Sequence, residues 1–225
     1  MKSVFVIIPA YNETEVIIST VQPLIDKGYE VVIIDDGSST NIQAYLKNLP
    51  VHYLRHEINL GQGASLQTGM DYVRRFQPGY VVHYDADGQH NPDDIDGFLQ
   101  VLAMKKADIV LGSRFLTQEA KELVPSRRRQ LLKVARLLNW FFTGLLLTDA
   151  HNGFRVMNGT VLEKLRLTET RMAHATEVLR LIKKHRLRYA EAPTRINYTA
   201  YSMQKGQKAS NSINILIDLV LHRII

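Results

Sequence analysis

Five short runs of β-branched and aliphatic residues, at 4–8, 31–34, 51–54, 80–84 and 109–111, constrain this chain more than any other feature. They are continuous rather than alternating, the pattern of strands covered on both faces. Helix-like stretches separate them at 14–27, 39–47, 62–75 and 92–104. In the last, Asn91 is placed as N-cap, Pro92 as N1, and Asp93 and Asp94 lie in the first turn, ahead of a stripe of Ile95, Phe98, Leu99 and Leu102. Strand and helix alternating in this way predict an α/β fold with a mostly parallel sheet. Ligands of such sheets bind beyond the carboxyl ends of the strands, so chemistry is sought there first.

The second half is less regular. It predicts a helix over 126–147, another over 174–185, a strand over 188–194, a polar loop over 199–208 and a last helix over 210–225. Two units follow: a domain over 1–208 and an apolar C-terminal helix over 209–225. At 225 residues the chain can bury one sizeable core. It has no cysteine, which excludes disulfides and thiolate metal sites, and no signal peptide is read at Met1, Lys2 and Ser3. The expected location is cytoplasmic, peripheral on the inner face of a membrane.

The strand ends carry the chemistry. The first strand runs into Pro9-Ala10-Tyr11-Asn12-Glu13, without the glycine-rich turn of a dinucleotide enzyme. The second ends in Asp35-Asp36-Gly37-Ser38, acidic residues suited to a base or ribose and equally to a turn and helix cap. The fourth ends in Asp85-Ala86-Asp87-Gly88-Gln89-His90. A period of two puts Asp85 and Asp87 on one side, where they repel unless a cation lies between them. All-oxygen ligands suit Mg2+ or Mn2+; Gln89 could add a carbonyl and His90 a nitrogen. Asn59-Leu60-Gly61-Gln62-Gly63-Ala64 opens a helix, and its glycines would let backbone N–H groups approach an anion, although a plain strand-to-helix turn looks the same.

Together these stretches, with Gly112-Ser113-Arg114 and residues 149–155 (DAHNGFR), resemble the family 2 glycosyltransferases of GT-A fold. Within them, the dolichyl- and polyprenyl-phosphate glycosyltransferases match best. Six motifs occur in order over residues 3–160. The resemblance implies Pro9, Tyr11, Glu13 and Asp36 as donor contacts, beside Gly61 and Asp85. It implies Asp85, Asp87 and Gln89 as metal ligands, Arg114 at the phosphates of the reacting bond, and some of Arg127, Arg128 and Arg129 at the acceptor's lipid phosphate. A C-terminal Arg-x-x-Gly-x-Ser-Lys loop of many relatives is altered here; Ser202 and Lys205 match it with changed spacing, and Lys205 is assigned to the diphosphate. The resemblance also implies inversion at the anomeric centre.

The reaction expected is transfer of a sugar from a nucleotide-sugar donor, UDP- or GDP-linked, to a polyprenyl phosphate. Asp149 would be the base if the acceptor were a hydroxyl, and a positioning residue if it were a phosphate, which is largely dianionic at neutral pH. A saccharide acceptor, a non-catalytic nucleotide-sugar-binding subunit and a nucleotidyltransferase are the alternatives.

The net charge of +6 fits a membrane surface better than nucleic acid, because Arg127, Arg128 and Arg129 abut the most apolar helical stretch. Residues 131–147 carry more apolar surface than one buried face needs, Trp140 included. Residues 213–225 are apolar nearly all round but would rise only about 20 Å as a helix, too short to span. Contact with the membrane surface, a small integral membrane partner or a second copy is expected instead.

Overall fold

Buried β-branched runs require neighbours on both faces, and the computed structural model supplies them. It describes residues 2–124, 126–149 and 152–197, except for some side chains of the helix that begins at Ser126. The strands are β1 (Val4–Ala10), β2 (Glu30–Asp35), β3 (Val51–Arg55), β4 (Tyr80–His83), β5 (Ile109–Ser113), β6 (Arg155–Asn158) and β7 (Tyr189–Pro193). They form one seven-stranded sheet in the order β3-β2-β1-β4-β6-β5-β7. The five strands expected in the first half are all present. β1 pairs in parallel with β2 and β4, β2 with β3, and β5 with β7.

The helices are α1 (Ile17–Asp26), α2 (Gln43–Leu46), α3 (Gln62–Arg74), α4 (Asp94–Met104), α5 (Gln118–Leu123), α6 (Ser126–Thr143) and α7 (His174–Lys184). They leave two apolar layers. Ile7, Val32, Ile34, Leu66, Met70 and Val178 fill one; Val6, Ile8, Ile33, Val21, Phe98 and Phe154 fill the other. Successive residues of β1 thus point into opposite cores, which is why its run is continuous.

The helix expected over 126–147 ends at Thr143, α5 was not expected, and two further details differ from the sequence reading. α4 starts at Asp94, and Asn91 instead accepts from the Asp93 N–H in a tight turn before the helix. The strand β6 was not expected. It runs antiparallel between β4 and β5, bringing Arg155 opposite both His83 and Leu111. Residues 198–225, with Lys205 and the predicted C-terminal helix, lie outside the described residues.

Candidate active site

The carboxyl ends of β1, β2 and β4 open onto a cleft of about 550 Å3 lined by Pro9, Tyr11, Glu13, Asp36, Gly61, Asp85, Asp87, Gln89 and Arg114, among others. It brings together nearly all the residues singled out in the first half of the chain.

Its base is a hydrogen-bonded frame. Asn12, in the left-handed region at φ 56°, receives Ser39 N–H on its side chain and donates its own N–H to Ser38 Oγ, so the turns after β1 and β2 brace each other. Asp35 is buried and accepts from Tyr53, Arg55 and Ser38. Asp36 lines the cleft, yet its oxygens accept from the backbone N–H groups of Leu60 and Gly61 and from His56, which also meets Thr68. Asp36 therefore shapes the 59–61 loop.

The glycines of that loop serve close packing rather than an anion. A Cβ on Gly61 or Gly63 would fall 2.5 Å from Thr170 O or 2.0 Å from Glu169 O. The Gly61 N–H is held by Asp36, and Ala64 N–H donates to Thr170 O. A loop more than 100 residues away occupies the helix start that was expected to hold a phosphate.

At the end of β4, Asp85 accepts from Gln62 Nε2 (2.9 Å) and His90 Nε2 (3.0 Å). His90 is buried against Phe154 with its ring centroid 4.8 Å away. Through Nε2 it buttresses Asp85. Burial pushes Asp85 up, but the His90 hydrogen bond and nearby positive charge outweigh it and hold the carboxyl below its usual range. Asp87 goes the other way, raised to about 6 by burial and by the charge of Asp85. The two carboxylates thus repel each other, and Asp87 bears the larger part of the cost. Among the described residues no three His, Cys, Asp or Glu converge on one point, so a cation here would draw further ligands from Gln89, water and phosphate oxygens.

Across the cleft, Arg114 is buried and gripped by Asp149: Nε to Oδ2 at 2.6 Å and Nη2 to Oδ1 at 2.8 Å. Asp149 stands behind Arg114 and is not among the residues lining the cleft. Its carboxylate holds a cation in place, the positioning arrangement expected of Asp149 beside a phosphate acceptor. Glu191 of β7 completes the support, accepting from Thr148 N–H, Thr148 Oγ1 and Asp149 N–H.

The sequence model of the family described as Glycosyl transferase family 2 matches residues 5–166 of this chain. The chain belongs to that family. This glycosyltransferase is 29% identical over 240 residues to a UDP-N-acetylglucosamine–dolichyl-phosphate N-acetylglucosaminyltransferase of Methanococcus voltae, covering 98% of this chain and 96% of the relative. It is 31% identical over 172 residues to a polyprenol monophosphomannose synthase of Mycolicibacterium smegmatis, covering 72% and 64%. Its fold resembles glucosyl-3-phosphoglycerate synthase of Mycobacterium tuberculosis, solved with Mn2+, uridine diphosphate and glucosyl-3-phosphoglycerate, at a TM-score of 0.67 and 16% identity over 97% of this chain and 80% of that one. The GT-A architecture expected for this glycosyltransferase is borne out.

Of the three arginines assigned to the acceptor, Arg129 is committed elsewhere in this glycosyltransferase: its Nη2 donates to Lys121 O and Val124 O and closes the end of α5. The side chains of Arg127 and Arg128 lie outside the described residues. Sequence reasoning also missed Gln62, Ser65, Asn152, Gly153, Arg155, Arg171 and His174, all of which line the cleft. For Gly153 and Arg155 the signal was present in the DAHNGFR stretch: a Cβ on Gly153 would meet Asp85 Oδ2 at 3.0 Å, so glycine lets that segment pack on the carboxylate. Burial lowers Arg155 only to about 10, with Asp85 opposing the fall, so it is a cation at neutral pH.

Proposed function

We propose that this glycosyltransferase moves a sugar, with inversion, from a nucleotide-sugar donor to a polyprenyl phosphate at the cytoplasmic face of a membrane. The observation that carries the reading is the Arg114–Asp149 pair. It supplies a preorganised cation at the cleft wall for the charge that grows on the leaving diphosphate. It also withdraws the carboxylate that a hydroxyl acceptor would call on as base. A phosphate monoester, largely dianionic above its second pKa near ~6, attacks without one. Both relatives described above are named for polyprenol-type phosphate acceptors, which supports the same choice.

Pro9, Tyr11 and Glu13 would face the nucleotide, with Asp36 and Gly61 holding the wall behind it. Asp85, Asp87 and Gln89 would hold Mg2+ or Mn2+, whose chemistry when bound is Lewis-acid stabilisation of the departing phosphates. Lys205 is proposed to add charge there, and Arg127 or Arg128 to meet the acceptor phosphate.

No helix among the described residues is long and apolar enough to cross a membrane. Leu137, Trp140 and Phe141 on α6, and Leu146 just beyond it, are 48–67% exposed, and Arg136 is exposed beside them. An apolar face flanked by cations supports docking on anionic lipid, directly or beside a membrane-protein partner.

The test is nucleoside diphosphate release from a panel of UDP- and GDP-sugars in Mn2+ or Mg2+, with and without polyprenyl phosphate. Release that requires the lipid phosphate and yields a sugar-lipid is expected. Release driven by a saccharide hydroxyl and indifferent to the lipid would overturn the acceptor.

A further inference from the structure

Under the cleft lies a group of polar atoms that the described residues leave without partners. Ser65 Oγ, both ring nitrogens of His83, Asn152 Nδ2, and Nε and Nη1 of Arg155 are buried and make no hydrogen bond among those residues. Ser65, Asn152 and Arg155 line the cleft, and His83 sits opposite Arg155 across the β4–β6 ladder. Buried polar groups in folded proteins are nearly always satisfied, so such a concentration calls for an occupant.

Arg155 is the centre of the group. It is 2% exposed, and what remains accessible belongs to a residue of the cleft wall. No carboxylate among the described residues lies within ion-pair distance of it. Burial and the neighbouring Arg155 keep the His174 ring neutral. His174 Nδ1 lies 2.7 Å from Arg171 O and must donate to that carbonyl, so the neutral ring carries its lone pair on Nε2.

We infer that this floor holds the transferred sugar, with Arg155 donating to its oxygens and Ser65, Asn152 and His174 meeting the neighbouring hydroxyls. The inference rests on the reading that the cleft takes a nucleotide sugar. One observation favours sugar over diphosphate as the occupant. The floor mixes donors with acceptors, as hydroxyls require, whereas a phosphate oxygen only accepts and would be repelled by the His174 lone pair.

The test is calorimetric binding, in Mn2+, of UDP, GDP, UDP-N-acetylglucosamine and GDP-mannose to the full-length chain and to Arg155→Met. The expected result is a loss of about tenfold or more for the nucleotide sugar that binds, while its parent nucleoside diphosphate changes by less than about twofold. Arg155→Lys should recover part of the loss. An equal loss for both ligands would overturn the inference, since it marks a phosphate contact or a structural role; so would no loss for either. Should Arg155→Met not fold, Ser65→Ala removes one floor hydroxyl with little change of shape. A loss confined to the nucleotide sugar supports the floor, and unchanged constants overturn it. Failure of the unaltered protein to bind any of the four ligands defeats the donor reading itself, and this inference with it.

Discussion

Asp149 holds Arg114 through both carboxylate oxygens, and a third hydrogen bond runs from the Arg114 backbone N–H to Asp149 Oδ2 at 3.2 Å. Side chain and backbone of the arginine are thus fixed by one carboxylate, itself fixed by Glu191 through the intervening backbone. Arg114 reaches the cleft from a set position, without the reorganisation that a free arginine would undergo as charge develops.

Replacing that carboxylate separates support from proton transfer. Asp149→Asn leaves the buried guanidinium without its counter-charge, so stability should fall by about 3 kcal/mol and turnover by about a hundredfold. The pH dependence of the residual turnover should keep the shape of the unaltered enzyme, because Asp149 moves no proton. Thermal unfolding and a pH–rate profile measure both; disappearance of the acidic limb in the variant would restore Asp149 as a base.

Asp87 and Asp85 repel each other in the absence of a cation, as the raised Asp87 shows. Asp87→Asn should therefore leave Tm in EDTA unchanged or slightly higher, and abolish the Tm increase that Mn2+ gives the unaltered chain. Differential scanning fluorimetry with and without Mn2+ checks this. A variant that keeps its Mn2+ response would remove Asp87 from the metal site.

His174 is buried, and burial together with Arg155 lowers it to about 4. An unfolded histidine titrates near ~6.5, so on acidification the unfolded chain takes the proton first. The folded state is then penalised progressively from about pH 6.5 down to about pH 4, by about 2 kcal/mol at pH 5. His83, lowered for the same reasons, adds in the same direction. Urea unfolding at pH 7 and pH 5 should show the loss, and His174→Gln should shrink it; a variant with the same pH dependence would assign the effect to other groups.

Trp140 and Phe141 are 48% and 67% exposed on α6. Substituting both by serine should lower affinity for anionic liposomes about tenfold. Sedimentation with liposomes decides it, and unchanged binding would move the membrane contact off this helix.

The legible parts of the fold were those whose signals are local. β1, β2 and β5 announce themselves because long stretches of each are buried on both faces and therefore apolar. β6 does not: its four residues begin with a buried arginine and end with an asparagine, and a charged residue on a core strand reads as loop. The cleft residues at strand ends were readable for the same local reason. At the 61–63 turn the sequence left an anion site and a plain turn both open, because the neighbours that crowd its glycines, Glu169 and Thr170, are distant in sequence. His174 and Arg171 carried no signal, since only packing brings their loop over α3.

In the strand order, β6 lies between β3-β2-β1-β4 and β5-β7 and pairs with β4 on one side and β5 on the other. One half of the sheet ends at Asp85 and Asp87; the other carries Arg114 and the Glu191 support. Four residues therefore stand between the Asp85–Asp87 pair and Arg114. Arg155, the first of the four, joins the floor of the cleft to the strand that spaces its two walls.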